Sequence, residues 1–254
     1  MERINFLGIP IDNLSMEQTL AKAEDMILQR KQVFQVSVNA AKVVKMKYDP
    51  GLYQSVAEAD LINADGQAVV WASRLLGQPL KERVAGVDLM QKLVAMASKK
   101  GFKIFFFGST DKVLSDVLQV YREQFGSSVI AGWRNGYYKP GEENAIASTI
   151  AQSGCDILFV ALPSPAKELF LHNHKETLRN VPFIMGVGGS FDVVGGHVRR
   201  APRWMQNAGL EWFYRLMQEP GRMWKRYLFT NTEFIFLVVQ GLLFRKKIPV
   251  HPPR

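Results

Sequence analysis

Asp65 is a carboxylate at a corner where it could either start a helix or do chemistry. It lies in "LINADGQAVVW", residues 61 to 71, between an apolar run and a helix-like segment, and Gly66 beside it lets a ligand approach closely. On local evidence alone Asp65 reads as a helix N-cap, because Asp ranks among the best capping residues. A carboxylate at a sheet-edge corner could instead face a ligand. The two roles conflict in part, since a carboxylate tied to backbone N–H groups loses basicity. Two other strand-turn-helix corners have the same form: "VSVNA" offers Ser37 and Asn39, and "FFFGST" offers Gly108, Ser109 and Thr110. Helix N-termini attract anions, so the second resembles a phosphate-cradling turn, although a glycine ending a strand is structural more often than not. A fourth candidate is "MGVGGSFDVVGG", five glycines around Asp192.

Several chemistries lack their residues. The glycine-rich run reads GxGG and comes late in the chain, so the dinucleotide fingerprint GxGxxG is missing, as is the P-loop GxxxxGK[ST]. A nicotinamide enzyme and a P-loop ATPase are both disfavoured. Of the four histidines, His172 and His174 point to different sides of a predicted helix and read as solvated surface residues. No zinc-type ligand spacing and no DxD pair occurs, so the expected metal set is none, and phosphate chemistry would rest on Arg, Lys and helix N-termini. The single cysteine, Cys155, falls in the apolar run "GCDILFV" and reads as a buried strand residue in a reducing compartment.

These corners need a layered frame. Strand-like and helix-like segments alternate through the body, the pattern of an α/β fold with a parallel sheet. "QVFQVSVNA", "DLINADG", "FKIFFFGST", "SSVIAGWRNGYY", "CDILFVALP" and "VPFIMGVGG" read as strands. "KVVKMKYDPGLYQSVAEA" reads as helix broken at Asp49-Pro50-Gly51, and "QAVVWASRLLG", "GVDLMQKLVAMASKKG", "DKVLSDVLQVYREQFG", "NAIASTIAQSG" and "AKELFLHNHKETLRN" as further helices. The expectation is a layered Rossmann-like core over residues 1–196.

After Gly196 the character changes. Residues 197 to 254 hold eleven Lys/Arg against Glu211, Glu219 and Glu233, which leaves 21 bases and 20 acids in the rest of a chain of net charge +9. Trp204, Trp212 and Trp224 lie among the arginines, and "FIFLVVQGLLF" precedes "RKK". This predicts a helical appendage, interrupted at Pro220-Gly221, that adheres to an anionic membrane surface with aromatics at headgroup depth and cations on phosphates. The apolar stretch is well short of the roughly 20 residues that cross a bilayer. The amino terminus carries charge early and predicts no cleaved signal, so the expected place is the cytoplasm, peripheral on the inner face of the cell membrane.

Taken in order and spacing, "VSVNAAKVV", "LINADGQAVVWASRLLG", "ERVAGVDLM", "FFFGS", "GWRNGYY", "SPAKE", "GVGGSFDVVGGHVRRAP" and "GLEWFYRLMQEPGRMWKRYL" resemble the WecG/TagA/CpsF family of bacterial glycosyltransferases over nearly the whole chain. The resemblance implies an inverting, metal-independent transferase that needs no cofactor beyond a UDP-sugar donor. Its acceptor would be a polyprenyl-diphosphate-linked saccharide of surface-polysaccharide synthesis. It implies that Asp65 is the general base, that Arg83 meets a substrate phosphate, and that Ser37, where the family usually has Thr, and Asn39 share the catalytic corner. Gly108, Ser109, Tyr137 and Asp192 would line the nucleotide. Arg215, Arg222 and Arg226 would close over the diphosphate when residues 197–254 dock at the membrane, and without membrane the chain would self-associate as a homo-oligomer.

One position departs from the family pattern. "Pro165-Ala166-Lys167-Glu168" stands where the family often reads P-x-Q-E, and the added cation suggests that Lys167, beside Glu168, selects a donor other than N-acetylmannosamine, an acidic sugar or a simple hexose. The alternative reading of the whole chain is a nucleic-acid-binding α/β protein using the basic tail, with salt-sensitive binding independent of Asp65. The transferase reading expects no nucleic-acid partner.

Overall fold

The structure, a computed structural model, describes residues 3–244, apart from the side chains of Arg222, Arg226 and Phe244. The chain opens with a hairpin, β1 (Arg3–Phe6) and β2 (Ile9–Asp12), then α1 (Met16–Leu28). β3 (Val33–Val38) leads into α2 (Ala40–Tyr48) and α3 (Pro50–Ala57), and β4 (Leu61–Ala64) into α4 (Gln67–Leu75) and α5 (Gly86–Lys100). β5 (Ile104–Gly108), α6 (Asp111–Phe125), β6 (Ile130–Arg134), α7 (Glu143–Gln152), β7 (Ile157–Ala161), α8 (Ala166–Asn173), β8 (Phe183–Gly186) and α9 (Ser190–Val194) follow. The tail forms α10 (Arg203–Asn207), α11 (Glu211–Gln218) and α12 (Pro220–Phe244).

Six strands form a parallel sheet in the order β4-β3-β8-β7-β5-β6, flanked by helices, which is the expected Rossmann-like class. β5 and β7 are apolar along their length and buried, as strands covered on both faces must be. The break predicted at Asp49-Pro50-Gly51 is real, and Asp49 caps α3 by accepting the Leu52 N–H at 2.9 Å. The helix predicted to run to Asn180 stops at Asn173. His174 follows it and is buried beside Phe170, ring centroids 4.8 Å apart, so it is a core residue and not the solvated one expected.

By its contacts the chain divides into two compact units: Met1–Met16, Val36–Ala85 and Arg200–Arg254 form the first, Glu17–Gln35 and Gly86–Arg199 the second. That division differs from the compositional boundary at 196/197, because the tail shares a core with residues 36–85. Phe234, Leu237 and Val238 of α12 are buried with Phe6, Ile9, Val43 and Met46. Phe6 and Phe234 lie 6.3 Å apart, and burying one such ring is worth about 1.5–3 kcal/mol. Lys47 of α2 donates to Glu233 of α12, and this bond holds the Glu233 carboxyl below its ordinary value. Among the described residues no helix is long and apolar enough to cross a membrane.

Candidate active site

In the first unit, backbone hydrogen bonds gather the residues expected to do chemistry. β4 ends at Ala64, and the Asp65 N–H donates to Val38 O at 2.8 Å, between Ser37 and Asn39 on the neighbouring corner. The Val84 N–H donates to Ala64 O at 2.9 Å, which brings Arg83 to the same place. A Cβ on Gly66 would stand 3.5 Å from Asn39 Cβ, so these two corners touch. Ser37, Asn39, Asp65 and Arg83, scattered over 47 positions of sequence, thus meet at one strand end.

Each has a definable local role. Asn39 caps α2, its side-chain oxygen accepting the Lys42 N–H at 2.9 Å. Asp65 is not the N-cap of α4, contrary to the local reading. That position belongs to Gly66, at φ 137°, with no side-chain cap bond. The glycine conformation turns the chain one residue after the carboxylate, so the helix start is built without Asp65 in the capping position.

Arg83 reaches into the tail. Its Nη1 donates to Glu211 Oε2 at 3.0 Å, and Arg200 Nε donates to Glu211 Oε1 at 3.3 Å. Gly209, two residues before Glu211, lies against α4, where a Cβ would meet the Trp71 ring at 2.7 Å and Gln67 Cβ at 3.0 Å. The beginning of the tail therefore sits on the helix that follows Asp65. Arg215, one turn beyond Glu211, is half-buried, and its Nε has no hydrogen-bond partner among the described residues. The side chains of Arg222 and Arg226 lie outside the described residues.

The second unit assembles its own corner. Gly108 ends β5 at φ 116°, and a Cβ there would stand 2.5–2.9 Å from the backbone of Ala161. The Ser109 N–H donates to Ala161 O at 3.1 Å, and the Gly136 N–H to Ser109 O at 2.8 Å, which sets the exposed Tyr137 beside Gly108 and Ser109. The Lys167 chain lies across Gly186 at the end of β8, and its Nζ pairs with Glu168 Oε1 at 3.1 Å. Asp192 is placed on α9, its backbone carbonyl accepting from His197 and Val198. Two surface depressions of about 420 and 410 Å³ border Phe105 and Trp133 and include none of these residues. Among the described residues no three His, Cys, Asp or Glu side chains come together as metal ligands.

Residues 4–248 match the model of the glycosyl transferase WecG/TagA/CpsF family. This chain belongs to that family. The N-acetylglucosaminyldiphosphoundecaprenol N-acetyl-beta-D-mannosaminyltransferase of Bacillus spizizenii is 36% identical over 200 residues, 79% of this chain and 76% of the relative. The transferase of the same name from Bacillus subtilis is 38% identical over 180 residues, 71% and 69% of the two chains. The chain is accordingly a glycosyltransferase.

For a glycosyltransferase, two residues near the site escaped the sequence reading: Glu211 and Arg200, the partners around Arg83. A signal existed, since Glu211 is one of only three acids in a tail of eleven bases. Its partner Arg83 lies 128 positions away, a pairing that no local pattern encodes.

Proposed function

We propose that this chain moves N-acetylmannosamine from UDP-N-acetylmannosamine to N-acetylglucosamine carried on a polyprenyl diphosphate, with inversion at the anomeric carbon. The observation that carries the proposal is the convergence of Ser37, Asn39, Asp65 and Arg83 at the end of β4 in a chain of this family. The Asp65 carboxylate takes the proton of the acceptor hydroxyl as its oxygen forms a bond to the anomeric carbon. The bond from that carbon to the diphosphate breaks on the opposite side, and UDP leaves with the electron pair. A positioned base contributes about 10²- to 10⁴-fold to such a step. The "beta" in the relatives' name is the linkage that inversion of an α-linked UDP-sugar produces.

Guanidinium groups match phosphate oxygens in geometry and charge, so Arg83 and the tail arginines take the role a divalent ion has in other transferases. The donor assignment follows the relatives and the pairing of Lys167 with Glu168. Both side chains are about nine-tenths buried, and the ammonium faces a carboxylate, which weakens the case for an acidic donor. Gly108, Ser109, Tyr137 and Asp192 are assigned to the nucleotide.

An anionic membrane surface is the proposed place of work. Leu228, Phe229, Ile235, Phe236, Leu242 and Leu243 of α12 are exposed, while Phe234, Leu237 and Val238 are buried, so an apolar stripe remains outside the core. An interfacial helix needs such a stripe together with neighbouring cations. Self-association through this stripe in the absence of lipid is part of the same proposal.

The test is transfer from a panel of UDP-sugars to a polyprenyl-diphosphate-linked N-acetylglucosamine, with and without EDTA, with the product anomer read by NMR. The expected result is β-linked N-acetylmannosamine, unaffected by EDTA and lowered about 10²- to 10⁴-fold by Asp65→Asn. A retained α-linkage, or EDTA sensitivity, overturns the mechanism.

A further inference from the structure

Glu211 sits in a site better suited to a different anion. Arg83 and Arg200 are 14% and 21% exposed, and each approaches a different oxygen of the one carboxylate. The contact from Arg83 uses one N–H of its fork, whereas guanidinium binds oxyanions most strongly through paired N–H groups. A diphosphate offers more oxygens and more charge in the same space. The carboxylate itself is 39% exposed and stands on a flexible side chain at the first turn of α11, so one rotamer change vacates the position.

We infer that Arg83 and Arg200 form a diphosphate-binding site whose occupant in the ligand-free protein is the Glu211 carboxylate. Arg200 is then a second phosphate-binding residue, and Glu211 an internal competitor that occupies the two half-buried guanidinium groups until substrate arrives. The inference rests on the transferase reading only for the source of the diphosphate, the nucleotide donor or the lipid-linked acceptor.

Equilibrium binding of inorganic pyrophosphate, UDP and a short-chain polyprenyl diphosphate to the full chain tests it, at one fixed low salt concentration. Glu211→Gln is expected to tighten pyrophosphate about three- to tenfold, because the competing occupant no longer lowers the competent fraction. Arg200→Gln is expected to weaken it about tenfold, through loss of a charge-assisted contact. Whichever of UDP and the polyprenyl diphosphate shares both shifts is the natural source. An ion trio with a purely structural role would lower the melting temperature of Glu211→Gln and leave pyrophosphate binding unchanged or weaker, which overturns the inference. Should Glu211→Gln fail to fold, Glu211→Asp, too short to span both guanidinium groups, must show the same tightening. Pyrophosphate binding is read without sugar transfer, so failure of the transferase reading leaves this outcome intact.

Discussion

The Ala64-Asp65-Gly66 corner of the first unit and the Gly108-Ser109-Thr110 corner of the second are alike in sequence and differ in how their polar side chains are engaged. After β5, Thr110 caps α6, its hydroxyl oxygen accepting the Val113 N–H at 3.3 Å, and a Cβ on Gly108 would stand within 3 Å of the Ala161 backbone. After β4, the capping position holds a glycine and the carboxylate stands one residue earlier. Both corners build a helix start. Only in the second does a polar side chain supply the cap, and the first leaves its carboxylate one step outside the capping position.

The largest expected effect separates the two corners by activity. Asp65→Asn should lower kcat about 10²- to 10⁴-fold with a melting temperature close to wild type, because no cap is lost. Steady-state transfer assays and calorimetry on one preparation check this. A variant that unfolds, or one that stays active, would erase the distinction. Next comes Gly108→Ala, expected to destabilise by about 3 kcal/mol or more, since the new methyl meets immobile backbone at 2.5 Å in a left-handed conformation. Chemical denaturation reads that loss.

How much of this was legible depended on how far each feature reaches in sequence. The β5 and β7 runs are apolar throughout, and helix periodicity after each strand is local, so the α/β sheet could be read directly. The β1–β2 hairpin could not, because its strands are four residues long and its fixing contacts are remote. Asp12, buried in that hairpin, accepts from the Ile62 N–H at 2.7 Å and from Arg3. The local reading of Asp65 as the helix N-cap missed by one residue, since the φ of Gly66 is a property of the folded turn and not of the letters "ADG". Glu211 went unread because its meaning comes from Arg83 and Arg200. The tail, expected to stand apart by composition, shares the core of residues 36–85, since the same stretch that looked membrane-directed has a second apolar face.

That shared core carries a pH signature. Hydrogen bonding to Lys47 lowers the Glu233 carboxyl from its ordinary 4.5 and raises the Lys47 ammonium from 10.5. The depressed acid stabilises the docked helix above about pH 4.5, and that contribution is lost as pH falls through its lowered value. The raised base contributes below 10.5 and is lost as pH rises through its own higher value. Melting temperature should therefore be flat between these limits as far as this pair is concerned, and Glu233→Gln should remove the acid-side dependence. Such a titration isolates the tail from both corners.

The smallest effects return to the two helix starts. Gly66→Ala should cost about 1–3 kcal/mol, for its φ of 137° alone, as the nearest atom is an uncrowded 3.5 Å away. Thr110→Ala should cost about 1 kcal/mol, the loss of one cap bond, and Thr110→Ser should restore most of it because the hydroxyl is kept. Denaturant midpoints at constant m-value resolve differences of that size. If Thr110→Ala proved neutral, the Val113 N–H would be satisfied by water, and the second corner would be as independent of its side-chain cap as the first. A full loss recovered by serine instead ties the hydroxyl to the helix, and leaves the Asp65 corner as the one that starts a helix without a capping side chain.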